Sequence, residues 1–290
     1  MSTQVAVAAA VAGIGAYAFY LRNSQVDTTK PTFGKFGFHS LRLESSELIN
    51  HNTKKLRFEL PNKELPAGLK LSSALLTLSF PNGEWRPCIR PYTPTNSLDE
   101  PGYIELMVKK YPGGRQSTHL HNLKPGDLMT FAGPIPEPVW TPNKHPHVAL
   151  IAGGAGISPM YQLVRGILTN PQDQTRVTLV WGVNTDEDIF LGKEFGDLEK
   201  KYPGRFKAVY VVATPDAGSP HQKGFVTKQI LEGLGLSATK EKNKGTKVMI
   251  CGPPPMEKAL KGSKGFGPFG SAKGGVLAEL GYTPDQIHSF

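Results

Sequence analysis

The pattern of apolar runs in this chain changes near residue 145, and the change limits the folds that it can adopt. Before that point, short strand-like runs alternate with turns rich in Pro, Asn and Gly. The runs are residues 36–44, 54–60, 70–80, 103–108 and 128–132, together with the run that ends in Arg90-Pro91-Tyr92-Thr93. Six short strands with almost no helical pattern predict a small antiparallel β-barrel.

After residue 145, strands alternate with loops and helices. Strand-like runs cover residues 147–152, 176–183, 205–212 and 246–251, and helical patterns cover 159–168, 188–201 and a stretch after Met256. This alternation is typical of a doubly wound parallel α/β sheet, which binds ligands at the carboxyl ends of its strands. We therefore predict a barrel domain over residues 34–140 and an α/β domain over residues 145–290.

Charge and cysteine usage narrow the classes of ligand. The chain has 33 basic and 24 acidic residues, a net charge of +9, which favours acidic partners or anionic ligands. The lysines are scattered and not interleaved with aromatic residues, which argues against a nucleic-acid partner. Cys88 and Cys251 are far apart, and the sequence has no CxxC or Cys/His cluster for a metal. We expect no metal site, so any redox centre must be an organic cofactor.

The first segment differs from the rest of the chain. Residues 2–21 carry no charge and are close in number to the ~20 residues that span a bilayer as a helix. Tyr17, Phe19 and Tyr20 lie at its far end, followed by Arg22, as at a membrane interface. We predict a transmembrane anchor over residues 1–21 and a tether over 22–33. A cleaved signal peptide is the alternative, but it would normally begin with basic residues.

Two loops in the first half could bind phosphate. Arg90 beside Pro91 offers a forked guanidinium to a pyrophosphate, and Tyr92 and Thr93 could contact a flat ring. The alternative is an ordinary exposed face of a strand. Gly113-Gly114-Arg115-Gln116-Ser117 precedes a helical stretch, and N–H groups at a helix start favour phosphate. Its alternative is a hairpin turn with Ser117 as a helix cap.

A third loop lies in the second half. Gly153-Gly154-Ala155-Gly156 stands between a strand and a helix, and Ser158 and Pro159 follow. Counted from Gly153, the sixth position is Ser158, so the run does not match the GxGxxG pattern and is a different phosphate-binding turn. Cys251-Gly252-Pro253 and the residues to Met256 should form a rigid wall at the same sheet edge. A buried structural role is the alternative for Cys251.

These motifs occur together in one known family. The ordered set also includes Asn184-Thr185-Asp186-Glu187-Asp188-Ile189, Gly224-Phe225-Val226 and Cys251-Gly252-Pro253-Pro254-Pro255-Met256. From about residue 34 to its end, the chain resembles the NADH-cytochrome b5 reductases of the ferredoxin-reductase-like superfamily. The 133–140 and 279–290 segments resemble those of fungal mitochondrial members.

The resemblance implies FAD and NADH as cofactors and assigns roles to residues. The residues that hold the flavin and its pyrophosphate in the family are matched here by Arg90, Pro91, Tyr92 and Thr93. The residues of the second phosphate contact are matched by Gly113, Gly114, Arg115, Gln116 and Ser117. The turn between the two cofactors is matched by Gly153, Gly154, Ala155, Gly156, Ser158 and Pro159. The residues beside the nicotinamide are matched by Cys251, Gly252, Pro253 and Met256. Thr93, Lys109 and Cys251 resemble the residues closest to the reacting rings.

The implied activity is hydride transfer from NADH to FAD, followed by single-electron transfer to an acidic cytochrome b5-like haem protein. A quinone or other small-molecule reductase is the alternative. We expect Lys109, Lys110 and Arg115 to form the docking rim. Ala213 and Thr214 stand where the family often has an acidic residue that selects NADH, and Asp216 comes slightly late. The implied location is the outer mitochondrial membrane, with the endoplasmic reticulum as alternative.

Overall fold

The computed structural model describes residues 28–135, 137–239, 244–263 and 273–290. The predicted anchor over residues 1–21 and the tether up to residue 27 lie outside the described residues. Most of the Gly- and Lys-rich 261–274 loop also lies outside them. Every helix among the described residues is too short or too polar to cross a membrane. Phe33, expected in the tether, is fully buried and packs in the core of the first domain.

The first domain is the predicted antiparallel barrel. Its strands are β1 (Gly37–Leu48), β2 (Thr53–Glu59), β3 (Ala74–Ser79), β4 (Cys88–Tyr92), β5 (Tyr103–Lys109) and β6 (Leu128–Ile135). They pair antiparallel in the order β4-β3-β6-β1-β2-β5. The predicted 70–80 strand begins only at Ala74, because Ser72 has a positive φ of 75°. Helix α1 (Arg115–Asn122) connects β5 to β6.

The chain that follows β4 joins the two ends of this sheet. The Thr95 N–H donates to the Glu105 carbonyl oxygen on β5 at 2.8 Å. The Asn96 side-chain oxygen accepts from the Glu105 N–H at 2.9 Å. Because β4 and β5 are the outermost strands of the order, these bonds close the barrel and fix the position of the Arg90-Pro91-Tyr92-Thr93 segment.

The second domain is the predicted doubly wound sheet. Its strands are β7 (His147–Gly153), β8 (Arg176–Val183), β9 (Phe206–Val212), β10 (Gln222–Lys223), β11 (Thr246–Cys251) and β14 (Ile287–Ser289), and a separate pair is formed by β12 (Gly262–Ser263) and β13 (Lys273–Gly274). The main sheet is parallel in the order β10-β9-β8-β7-β11-β14. The helices are α2 (Ile157–Thr169), α3 (Gly192–Lys201), α4 (Lys228–Gly233), α5 (Pro254–Lys261) and α6 (Val276–Glu279).

Helices cover both faces of this sheet. Along β7, Val148 and Leu150 pack in one apolar cluster with α2 and α3, whereas Ala149 and Ile151 pack in another with α4, α5 and α6. Burial on both faces explains why β7 is a continuous apolar run. The predicted helix over 188–201 begins only at Gly192, because Asp186–Asp188 form a separate 3-10 turn closed by a capping box with Thr185.

Helix α2 joins the two domains through buried polar contacts. The Gln162 side chain is 3% exposed. Its oxygen accepts from the Ser72 N–H at 2.7 Å, and its nitrogen donates to the Pro94 carbonyl oxygen at 3.0 Å. The Arg165 guanidinium donates to the Thr95 carbonyl oxygen at 2.9 Å. These bonds place α2 directly against the segment that follows Thr93.

Candidate cofactor site between the two domains

Arg90 and Tyr92 lie on the edge strand β4. The Arg90 side chain is exposed, and its guanidinium donates to the Ile89 carbonyl oxygen at 2.7 Å. Tyr92 packs against the barrel core, and burial raises the pKa of its hydroxyl to about 12. Pro91 is exposed between them, and Thr93 is buried just beyond the strand. An exposed guanidinium next to a neutral, half-buried phenol is suited to a ligand that is anionic at one end and flat at the other.

The start of α1 has the features of an anion site. Gly114 is the N-cap, and among the described residues no side chain caps this helix. Gly113 has φ of 70°, and a Cβ placed there would meet no described atom within 4 Å. Ser117 lies one turn into the helix and donates to the Gly114 carbonyl oxygen at 3.2 Å, so the N-cap predicted as the alternative is wrong. The first N–H groups of α1 are therefore left for an external acceptor.

Gln116 and Arg115 anchor this helix start to the barrel. Gln116 is buried, accepts from the Ser79 hydroxyl at 2.6 Å and donates to the Thr77 hydroxyl at 2.8 Å. The Arg115 guanidinium donates to a Glu84 carboxylate oxygen at 2.6 Å and to the Arg86 carbonyl oxygen at 3.2 Å. The side chains of both residues hold α1 in place, so their contribution to a phosphate site is positional.

The second glycine loop also leads into a helix with a glycine N-cap, but through a 3-10 turn in which the Ile157 N–H donates to the Gly154 carbonyl oxygen. Gly153 ends β7, Gly154–Gly156 form a 3-10 turn, and Gly156 caps α2 with no side-chain cap from the described residues. Ser158 and Pro159 are buried in the first turn of α2, and Ala155 is half-buried. The Trp181 indole donates to the Gly154 carbonyl oxygen at 3.0 Å.

The loop that begins at Cys251 packs directly against these glycines. A Cβ on Gly153 would lie 2.6 Å from the Met256 sulfur and 2.7 Å from Pro253 Cδ. A Cβ on Gly156 would collide with the Cys251 carbonyl oxygen. The structure therefore brings the Gly153–Gly156 loop and the 251–256 loop together at one sheet edge, beside Gly252. The absence of side chains on these glycines permits that contact.

Tyr111 connects the two glycine loops, and the sequence analysis overlooked it. Its N–H donates to the Ser117 hydroxyl at 3.2 Å, and its carbonyl oxygen accepts from the Gly114 N–H at 3.0 Å. Its hydroxyl oxygen accepts from the Ala155 N–H at 3.2 Å. Burial raises the pKa of the Tyr111 hydroxyl, which stays neutral. One residue thus touches both candidate phosphate sites.

Lys109 has a different environment from the one expected. Its ammonium lies 2.7 Å from a carboxylate oxygen of Asp188, and both side chains are buried, at 8% and 3% exposure. Asn52 donates to the same oxygen at 3.0 Å. Burial raises the pKa of the Asp188 carboxyl, but the hydrogen bonds from Lys109 and Asn52 outweigh it and hold that pKa below its ordinary value. Lys109 therefore connects the domains through a buried ion pair.

Cys251 is half-buried at the mouth of its loop. Burial, with smaller contributions from the charges of Glu257 and Glu137, raises the pKa of its thiol to about 12. The thiol is therefore protonated at neutral pH and is a poor nucleophile. Its arrangement suits contact with a bound ring rather than acid–base chemistry.

The loop after β9 is held by Asp186, a residue of the 184–189 motif to which the sequence assigned no role. One Asp186 carboxylate oxygen accepts from the Asp216 N–H at 2.7 Å, and the other accepts from the Ser219 hydroxyl at 2.7 Å. The Asp216 side chain is exposed on this loop. Asp186 thus sets the loop conformation, and Asp216 presents its carboxylate to solvent.

The donors fit two phosphate-bearing cofactors. Two glycine-capped helix starts lie on either side of Tyr111, Arg90 offers an exposed guanidinium, and the space over Gly113 is open. FAD would be held by Arg90, Tyr92, Thr93 and the start of α1, and NADH by the start of α2 with the 251–256 loop.

Comparisons with known proteins agree with this geometry. Residues 40–140 match the family model described as "Oxidoreductase FAD-binding domain", and residues 150–262 match "Oxidoreductase NAD-binding domain". The cytochrome b5 reductase domain of Ulva prolifera nitrate reductase has a similar structure, with a TM-score of 0.76 and 28% identity, covering 90% of this chain and 100% of that one. The CS-b5R domains of human Ncb5or share the fold, with a TM-score of 0.68 and 24% identity, over 88% of this chain and 70% of that one.

Curated relatives are similar over most of their length. NADH-cytochrome b5 reductase 2 of Emericella nidulans is 46% identical over 291 aligned residues, which cover 99% of this chain and 89% of the relative. NADH-cytochrome b5 reductase 2 of Pyricularia oryzae is 50% identical over 254 residues, which cover 88% of this chain and 76% of the relative. With its FAD-binding and NAD-binding domains, this chain belongs to the NADH-cytochrome b5 reductase family.

Proposed function

We propose that this chain is an FAD-dependent reductase that takes a hydride from NADH and passes single electrons to cytochrome b5 or a similar haem protein. The observation that carries the proposal is the pair of glycine-capped helix starts, at Gly114 and Gly156, joined by Tyr111. Two such sites side by side suit two dinucleotide cofactors whose rings meet between the domains.

The barrel would bind and orient the flavin cofactor. When bound, FAD supplies the chemistry of accepting two electrons together and releasing them one at a time. The Arg90 guanidinium and the first N–H groups of α1 would neutralise the pyrophosphate. Tyr92 would pack against the ring system, and the buried Thr93 hydroxyl would fix its edge.

The α/β domain would present the nicotinamide to that ring. The Gly153–Gly156 turn and the positive end of the α2 dipole would face the NADH pyrophosphate, while Cys251, Gly252 and Pro253 would exclude water beside the nicotinamide. The neutral Cys251 thiol would act by contact, and the Lys109–Asp188 pair would set the angle between the domains. No proton needs to move at Cys251 or at Lys109.

The structure changes which residues are candidates for the docking rim. Lys109 is buried against Asp188, and Arg115 is paired with Glu84, so neither offers an unpaired exposed charge. Lys110 is exposed beside Tyr111 and is the member of the expected set that suits an acidic haem protein. A quinone acceptor is the second candidate, because it would need no charged rim.

Replacing Lys110 with Glu tests the docking rim. We expect a several-fold slower rate of electron transfer to cytochrome b5 at low salt, with the ferricyanide rate unchanged. Lys200→Glu is the control, because Lys200 is 83% exposed in the last turn of α3. Equal rates for wild type and Lys110→Glu with cytochrome b5, alongside rapid quinone turnover, would favour the second candidate.

Attachment to a membrane is a further part of the proposal. The uncharged 2–21 stretch supports a single-pass anchor. The resemblance of the 133–140 and 279–290 segments to fungal mitochondrial members is the ground for proposing the outer mitochondrial membrane over the endoplasmic reticulum. The test is fractionation of cells expressing the full chain or a chain that starts at residue 28. The proposal fails if both chains remain in the soluble fraction.

Stopped-flow absorbance on the full chain tests the central proposal. NADH should bleach a copurified flavin rapidly, and cytochrome b5 should restore the oxidised spectrum. NADPH should react more slowly if the exposed Asp216 carboxylate repels its 2′-phosphate, and Asp216→Ser should narrow that gap. A chain that neither retains nor takes up flavin would overturn the proposal.

A further inference from the structure

Trp85 is an exposed aromatic residue beside the proposed flavin site. It lies in the connection between β3 and β4 and is 65% exposed. Phe80 and Ile89, on either side of it in the chain, are also exposed, at 44% and 42%. Tryptophan is highly buried on average in folded proteins, so an indole with this exposure, between two other exposed apolar residues in the chain, is a candidate contact for a ligand.

The Trp85 loop is fixed to the start of α1. Arg115, the first residue of α1, bonds to the Glu84 carboxylate and to the Arg86 carbonyl oxygen, at 2.6 and 3.2 Å. These two residues flank Trp85 in the chain. The Arg86 guanidinium lies 4.8 Å from the centre of the indole ring. The indole is thus held near the N–H groups proposed to bind the FAD pyrophosphate.

The proposed binding mode of FAD sets the direction of the cofactor. Tyr92 and Thr93 would contact the flavin, and Arg90 and the start of α1 would bind the pyrophosphate. The adenosine is joined to the pyrophosphate on the side away from the flavin, so it would extend past the start of α1. Trp85 is within reach of it, because the Trp85 loop is bonded to Arg115 at the start of α1 and five residues of extended chain, from Trp85 to Arg90, span at most about 17 Å.

We infer that Trp85 is the platform on which the adenine ring of FAD stacks. The inference rests on the proposed function and adds to it the contact that distinguishes FAD from shorter flavins. A base stacks on an aromatic side chain through its flat face, a contact that an exposed indole can provide without a pocket. Arg86 beside the ring would help to hold its orientation.

The test compares full-chain holoenzymes of wild type, Trp85→Ala and Trp85→Phe. After flavin removal, we expect Trp85→Ala to bind FAD about tenfold more weakly, within the range that one base–aromatic stack contributes. FMN, which lacks the adenosine, should bind both proteins equally. Competition by AMP against FAD should weaken by the same factor as FAD binding, and Trp85→Phe should restore most of the loss. The readout is flavin fluorescence, which is independent of turnover.

Phe36→Ala is the matched control, because Phe36 is 62% exposed on the same domain but precedes β1. Unchanged FAD affinity in Trp85→Ala would overturn the inference, and a slower cytochrome b5 rate in that variant would then identify Trp85 as part of a protein-docking surface. Equal loss of FAD and FMN would also overturn it, since the effect would be structural. Failure of the wild type to bind any flavin would instead contradict the proposed function.

Discussion

The two glycine loops look alike in sequence, but their glycines are required for opposite reasons. Gly113 has a left-handed backbone, with φ of 70°, and open space where a Cβ would point. Gly156 has φ of −61°, which any residue can adopt, yet its Cβ would collide with the Cys251 carbonyl oxygen. The first glycine is needed for conformation and the second for close approach. The barrel loop is therefore open to a ligand, while the α/β loop is packed against a second loop.

Gly156→Ala should have the largest effect, because it breaks the packed loop. The collision is with backbone, so the 251–256 loop must move, and we expect a loss of about 3 kcal/mol in the free energy of unfolding. NADH-driven flavin reduction should slow more than tenfold, while FAD affinity stays unchanged. Urea unfolding and stopped-flow absorbance measure the two effects. Wild-type stability in this variant would show that the contact between the loops is dispensable.

Asp188→Asn should have the second largest effect, because it tests the Lys109–Asp188 ion pair between the two domains. Losing a charged acceptor for Lys109 and Asn52 should cost about 2 kcal/mol at pH 7. The pKa of the Asp188 carboxyl is lower in the folded protein than in the unfolded chain, where it is about 3.9. The contribution of this carboxylate to the free energy of unfolding is therefore fully present above the unfolded pKa. It is lost as the pH falls from that value through the folded pKa. Urea unfolding at pH 7, 5, 4 and 3 should show the difference from wild type shrinking only below about pH 4. A constant difference across the series would argue against the ion pair.

Gly113→Ala should have a smaller effect, because it tests the open loop. A left-handed alanine costs about 1 kcal/mol, and no described atom obstructs its methyl group. We expect a modest loss in thermal stability and weaker FAD binding, with the rate of flavin reduction by NADH unchanged once FAD saturates. Combining this change with Gly156→Ala should give additive losses if the loops act independently.

Tyr111→Phe should have the smallest effect, because it removes one hydrogen bond between the loops. Loss of the bond from the Ala155 N–H should cost about 0.5 kcal/mol, since the ring remains in place. We expect slightly weaker NADH binding with unchanged FAD affinity, measured by titration of each cofactor. Equal weakening of both would mean that the hydroxyl sets the shape of the barrel loop as well.

Local patterns predicted the framework well. The limits of β8 and β11 agree with the predicted runs, because buried parallel strands leave continuous apolar sequences. The very short β10 and β14 were not predicted, because two or three residues carry no periodic signal. Helix α3 starts later than its charged pattern suggested, since the capping box at Thr185 uses the preceding acidic residues in a separate turn.

At the candidate site, the sequence could not predict contacts between residues that are far apart in the chain. The motifs identified Arg90 and both glycine loops, but they did not indicate that Lys109 is buried in an ion pair or that Arg115 forms an ion pair at the surface. Their partners, Asp188 and Glu84, are 79 and 31 residues away in the chain. Tyr111 and Gln162 were overlooked for the same reason. An aromatic residue just before a glycine loop was the available signal for Tyr111.

The length of the segment from Pro94 to Asn96 is fixed by hydrogen bonds on both of its sides. Its carbonyl groups accept bonds from Gln162 and Arg165 on α2, while Thr95 and Asn96 also bond to β5. A one-residue insertion here would shift one set of partners relative to the other. Relatives that differ in length, and engineered tags or loops, should therefore be accommodated further on, around the exposed Asp99 and Pro101, where the turn faces solvent.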